Sequence, residues 1–289
     1  MLLASGMLLG WNLVHYWAAP DERRRGYLLR IVLGALLGFP LIIVLAVTSA
    51  AAAILGLLVI LLCAVVAYAA NAKQLLKPPW KAPQEPPERP TSWTDQRVVY
   101  LITALAPERY TGPAVWAEFV RQRAAAGLPT PHWLAFPYYC GRVRRAYAAM
   151  DGVSPTVLAM QQLAEAVEAA LGGDTSVRLA STLDLDALSE SLRRSVAAGE
   201  REFVLVPLSL PDSALTDLRN AVADSRVREA GANIRIAHDV EVSSWLGDND
   251  VRLDRLWQGE ELPAPPEPDP ELIDAIVSAV DPSAIAVDA

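Results

Sequence analysis

The sequence predicts N-terminal transmembrane helices followed by an α/β domain with a four-stranded parallel sheet. Three observations carry that prediction. Residues 1–72 hold three apolar runs of near span length. Four short stretches, 98–103, 176–182, 202–208 and 234–237, have strand length, the first a continuous apolar run. Helix-length segments separate them, and strands alternating with helices close a parallel sheet through right-handed crossovers.

The membrane segment comes first. Residues 1–19 are apolar apart from Asn12, His15 and small residues, and 20–26 (PDERRRG) form a charged break. The runs 27–47 and 50–70 each approach the ~20 residues that cross a bilayer as a helix. Thr48 and Ser49 leave room only for a tight turn, which predicts a helical hairpin. A signal peptide carries positive charge ahead of its apolar core, and the first run has none, so a short transmembrane helix is preferred to a signal peptide, giving two to three spans in 1–72. Arg23, Arg24, Arg25 and Arg30 lie two crossings from Lys73, Lys77 and Lys81. Both groups then share one side, which the positive-inside rule makes cytoplasmic. The expectation is a multi-pass protein of the inner (cytoplasmic) membrane with its soluble domain in the cytoplasm. Gly34 and Gly38 have small-xxx-small spacing, read either as a helix–helix interface or as the ordinary glycine content of membrane helices.

The rest divides by composition. Residues 73–92 form a linker, proline-rich from 78, which is extended and semi-rigid. Residues 93–259 form the soluble domain, and 260–289 an acidic, proline-rich tail in which 270–280 fits an amphipathic helix. The chain has 289 residues, is 53% hydrophobic and carries a net charge of −8. Glu260, Glu261, Glu267, Asp269, Glu271, Asp274, Asp281 and Asp288 account for that imbalance, so no basic field suits nucleic acid. Cys63 and Cys140 fall in different segments, which argues against a disulfide or a cysteine-based metal site.

Within the soluble domain, 116–125 and 143–150 read as helices around an irregular, aromatic-rich stretch at 132–140. Ser154 fits a helix cap and Pro155 the first helical position. Leu158, Leu163, Val167 and Leu171 give a helical stripe ended by Gly172 and Gly173. Further helices are predicted at 185–198, from a cap at Asp212 to 229, and at 245–257.

This order of pieces resembles the N-terminal half of the ferrochelatase family, enzymes that insert ferrous iron into a porphyrin. The resemblance rests on Leu101-Ile102-Thr103-Ala104-Leu105-Ala106-Pro107 as the first strand and its loop. It continues in Tyr147-Ala148-Ala149-Met150-Asp151-Gly152-Val153-Ser154-Pro155 with Gln161 and Gln162. Leu188-Ser189-Glu190-Ser191-Leu192 and Val204-Leu205-Val206-Pro207-Leu208-Ser209 complete it. It covers some 160 of the 289 residues and implies a chelatase-like (Rossmann-like) half domain. The departures matter more. Leu105 and Ala106 stand where the family has glycine and tyrosine near the porphyrin. Leu208 and Ser209 stand where it commonly has His or Tyr. The half with the metal-site histidine has no counterpart in this sequence.

The remaining candidates are few. His238, Asp239 and Glu241 follow the fourth strand and suit a metal or acid/base site, or simply a solvated loop. His132, Trp133, Tyr138 and Tyr139, with Phe136, fit an apolar tetrapyrrole pocket; otherwise they pack on the sheet or meet the membrane. His15 suits a haem or chlorophyll ligand in the bilayer, or an interface anchor. Arg142, Arg144 and Arg145 form a small basic cluster. The leading expectation is a non-catalytic, ferrochelatase-like accessory or scaffold subunit of a membrane complex handling haem or chlorophyll. Its partners would be membrane lipid and other subunits of that complex. The alternatives are half of a split chelatase, whose partner chain supplies the C-terminal half, and a tetrapyrrole-binding delivery protein.

Overall fold

The computed structural model describes residues 1–78, 85–247 and 249–281. The chain forms two units. One comprises 1–79, 109–152 and 256–260; the other comprises 80–108, 153–255 and 261–289. The division is not the one composition suggests, because 109–152 pack with the N-terminal helices.

The first unit begins with α1 (Leu2–Ala18), α2 (Asp21–Thr48) and α3 (Ala50–Leu75). Residues 20–26 are not a break. After the extended Pro20, α2 starts at Asp21 and carries its arginines within the helix. Asp21 and Glu22 suit the positive end of that helix. Ser49 alone separates α2 from α3, and its hydroxyl accepts from the Ala52 amide at 3.4 Å. The two helices, 28 and 26 residues long, are long and apolar enough to cross a membrane. At 17 residues α1 is shorter, about 25 Å at the helical rise against a hydrocarbon core of ~30 Å.

Small residues bring these helices together. Gly34 and Gly38 are the buried residues of α2. A Cβ on Gly38 would sit 2.5 Å from Ser5 Oγ, and one on Gly34 would press on Leu8 and Leu9. Ser5 Oγ donates a 2.7 Å hydrogen bond to the Gly34 carbonyl. A second pair, Gly6 and Gly10, opens the other side of α1 to α3: side chains there would strike the carbonyls of Ile60 and Ala64. Close backbone packing and this hydrogen bond hold the three helices together.

The same unit contains α4 (Pro113–Ala125), a 3-10 turn (Trp133–Ala135) and α5 (Phe136–Ala149). The helix expected at 143–150 thus begins seven residues earlier, taking in most of the aromatic stretch. Pro137 causes no break because it lies in the first turn, where no amide partner is needed. The Tyr110 hydroxyl donates to the Ala18 carbonyl at 2.7 Å, and Arg144 pairs with Asp21 at 2.8 Å. Both contacts join the α1–α2 corner to this helical layer.

The second unit holds β1 (Thr94–Thr103), β2 (Thr175–Ser181), β3 (Glu200–Pro207) and β4 (Asn233–Ile236). They form a parallel sheet in the order β2-β1-β3-β4. Helices α6 (Pro155–Leu171), α7 (Leu185–Ala197) and α8 (Asp212–Ser225) make the crossovers. On one face Val99, Leu101, Val204 and Val206 pack with Met160, Leu163 and Val167 of α6. On the other, Val98, Tyr100, Ile102, Phe203 and Leu205 pack with Leu188, Leu192 and Leu218 of α7 and α8. Burial on both faces explains why the central strands read as continuous apolar runs.

Several local expectations change. Leu158 is 46% exposed and lies outside the α6 stripe. The Ser154 hydroxyl makes no capping bond. Pro211 rather than Asp212 precedes α8, which ends at Ser225. The helix expected at 245–257 is two, α9 (Ser243–Leu246) and α10 (Asn249–Trp257). In the acidic segment, α11 (Pro270–Val280) buries Leu272, Ile276, Ala279 and Val280 in the α6-side core. Arg235 of β4 donates to the Ala279 and Val280 carbonyls at its end. Residues 79–84 of the expected linker lie outside the described residues. The following stretch lies along the second unit, where Arg193 donates to the Glu85 carbonyl at 2.6 Å.

Candidate functional site

Order β2-β1-β3-β4 sends consecutive crossovers to opposite sides of β1, so the chain reverses direction between β1 and β3. Ligands of open α/β sheets bind outside the carboxyl ends of strands at such a point. Here that edge is built from the loop after β1 (Ala104 to Glu108), the loop after β3 (Leu208 to Leu210), the loop after β4 (Ala237 to Val242) and the start of α6.

Hydrogen bonds tie the loops to one another. Ser181, at the end of β2, donates to the Leu105 carbonyl at 2.6 Å and accepts from the Leu105 and Leu183 amides. Ser209 holds a left-handed backbone, φ 50°, unusual for a residue with a side chain. Its amide donates to the Val240 carbonyl at 2.9 Å. Its hydroxyl donates to Glu241 Oε1 and accepts from the Val242 amide, both at 2.7 Å. The cross-links hold a conformation that such a residue seldom adopts alone.

The two carboxylates of the expected metal set brace the loop. Asp239 Oδ1 accepts from the Leu210 amide at 3.0 Å, and Glu241 Oε1 accepts from the Ser243 amide at 2.7 Å. Hydrogen bonds from Ser243 and Ser209 hold the Glu241 carboxyl down at about 2. Partial burial pushes the Asp239 carboxyl up, against the Leu210 amide that lowers it. Among the described residues no group of three His, Cys, Asp or Glu side chains is placed to hold a metal ion.

At the start of α6 the Ser154 amide donates to the Glu108 carbonyl at 2.9 Å, fixing the helix beside the first loop. Ser154 Oγ and Thr156 Oγ1 are buried and have no hydrogen-bond partner. Buried hydroxyls are usually satisfied, so two unpaired ones beside the positive end of a 17-residue helix are conspicuous. The sequence marks Ser154 as a helix cap and as part of the ferrochelatase-like stretch, and gives no sign of Thr156. No sequence signal distinguishes a capping serine from an unpaired one.

The aromatic candidates belong to the first unit and pack largely among themselves. The Tyr139 ring stacks on Trp257 at 4.9 Å and 9°; Trp116, Phe119 and Phe136 surround the same indole within 6.0 Å. Phe136 and Trp116 are fully buried. His132 is exposed; its Nδ1 accepts from the Leu134 amide at 3.4 Å and its ring lies against Trp133. Tyr138 is 47% exposed and lies 6.3 Å from Trp17. His15 stacks on Tyr27 at 5.3 Å and 17°. Burial pushes the Cys140 thiol up, keeping it protonated, and both cysteines are free. Comparison with protein-family models, curated proteins and solved structures finds no match.

Proposed function

We propose that this chain is a membrane-anchored, ferrochelatase-like accessory or scaffold subunit that performs no metal insertion itself. It works in a membrane complex that handles haem or chlorophyll, with α2 and α3 as spans and the sheet on the cytoplasmic side. The family resemblance supplies the tetrapyrrole context. The observation that carries the non-catalytic reading is the engagement of Asp239 and Glu241 at the strand ends. A chelatase needs carboxylates or imidazoles that face the substrate to take pyrrole protons and hand over metal. Here those carboxylates receive backbone amides and Ser209, and so stabilise a loop. The purified chain, in mild detergent with protoporphyrin and ferrous or zinc ion, should form no metalloporphyrin above the uncatalysed background. Native purification should bring down companion chains and pigment. Turnover at an enzyme-like rate would refute the proposal.

A second reading, a tetrapyrrole-binding delivery protein, is favoured by the unpaired hydroxyls of Ser154 and Thr156 at the start of α6. Both oxygens are buried, so a carboxylate such as a propionate would reach them, and complement the helix, only once the loop before α6 opens. Titration with protoporphyrin should then shift its Soret band, and the shift should weaken at least fivefold in affinity in a Ser154→Ala/Thr156→Val variant.

A further inference from the structure

The 3-10 turn and the start of α5 carry an unexplained feature. In the first unit, the exposed large apolar side chains beyond residue 75 among the described residues are Leu128, Leu134 and Tyr138. Trp133 beside them is half-buried. These residues lie in one stretch of 11, with Leu134 and Tyr138 four apart. Water would leave this apolar area uncompensated.

Its height along the bundle is set by one bond. The Tyr68 hydroxyl donates to the Leu134 carbonyl at 3.0 Å. Tyr68 lies 18 residues beyond Ala50, where α3 begins. At the helical rise that is about 27 Å, close to the ~30 Å thickness of a hydrocarbon core. On α2, Tyr27 lies 21 residues before Thr48, about 31 Å by the same rise. Tyr68 and Tyr27 therefore mark the same boundary, the level that tyrosine and tryptophan prefer. Tyr138, beside Trp17 near the end of α1, belongs to this ring. Arg23, Arg25, Arg30, Lys73 and Lys77 are exposed at the same end of the bundle. Cations in that position attract anionic headgroups.

We infer that the stretch from Trp133 to Tyr138 lies in the lipid headgroup layer, with Leu134 and Tyr138 against an anionic phospholipid surface. The helical layer of the first unit is then seated on the membrane as well as tethered to it. This goes beyond the scaffold reading and stands whether or not a tetrapyrrole binds.

The test is nitroxide labelling of the full chain in nanodiscs containing one part phosphatidylglycerol to three parts phosphatidylcholine. The background is Cys63→Ala, and Cys140 is fully buried. Labels at Leu134→Cys and Tyr138→Cys are compared with Leu36→Cys on the lipid face and Glu190→Cys on an exposed charged pair. The preference for oxygen over a water-soluble nickel chelate should fall between the two references at both sites. It should fall several-fold at Leu134 in discs of phosphatidylcholine alone. A value equal to that of Glu190→Cys would overturn the inference. Exclusion of both relaxants would also overturn it, because a second copy or another protein would then cover the patch. Equal values in both disc types would remove the anionic preference.

Discussion

Ser5 on α1 donates its hydroxyl to the carbonyl of Gly34 on α2 at 2.7 Å, 29 residues away. That contact forms only because Gly34 and Gly38 present bare backbone. The matching surface toward α3 is Gly6 and Gly10. Gly10→Val should therefore push α1 off α3, whose Ala64 carbonyl occupies the space a side chain would take. The expected outcome is faster proteolysis of the first 20 residues in detergent, with α2 and α3 remaining protected. Gly26→Ala, which meets nothing within 4 Å, is the control.

Trp257 is the hub of the aromatic layer, stacked on Tyr139 and flanked by Trp116, Phe119 and Phe136. Trp257→Ala should cost about 3–5 kcal/mol, the usual range for emptying an aromatic core site. A thermal shift measured in detergent reads this directly. Trp257→Phe should recover much of the loss.

Two serines at the carboxyl edge of the sheet should behave differently. Ser181 joins Leu105 and Leu183 through three hydrogen bonds, so Ser181→Ala should destabilise by about 2–3 kcal/mol. Ser154 precedes α6 without making a capping bond. Ser154→Ala should thus cost less than the ~1 kcal/mol of an ordinary lost cap. Equal losses in urea titrations would contradict these assignments.

The loop carboxylates give opposite pH signatures. Glu241 has its folded value lowered to about 2 from 4.5, so its contribution is present above about 4.5 and fades as pH falls toward 2. Asp239 has its folded value raised by burial, so its charged form opposes folding once pH exceeds its ordinary value of 3.8. Asp239→Asn keeps an acceptor for the Leu210 amide and removes that opposition. It should be neutral or stabilising at pH 7, and Glu241→Gln destabilising, by chemical denaturation at pH 7 and pH 3.

Much of this architecture was legible from periodicity alone. The two central strands read as apolar runs because both faces of the sheet are covered there, and Gly172 ends α6 at φ 69° as a stop glycine should. Pattern failed where long-range contacts decide. Residues 109–152 look like part of the soluble domain, yet Tyr110 and Arg144 bind the α1–α2 corner, and no local signal announces such partners. Gly6 and Gly10 lie in an apolar run with nothing local to mark them as contact positions. Asp239 and Glu241 looked like ligands beside His238 because spacing does not reveal which backbone amides a carboxylate will meet.

We propose that this chain performs no metal insertion. The most direct measurement is initial-rate fluorescence of zinc protoporphyrin formation by the detergent-purified chain. The account predicts the same slope with and without protein, unchanged in Asp239→Asn and Glu241→Gln. A protein-dependent slope that either substitution abolishes would contradict it.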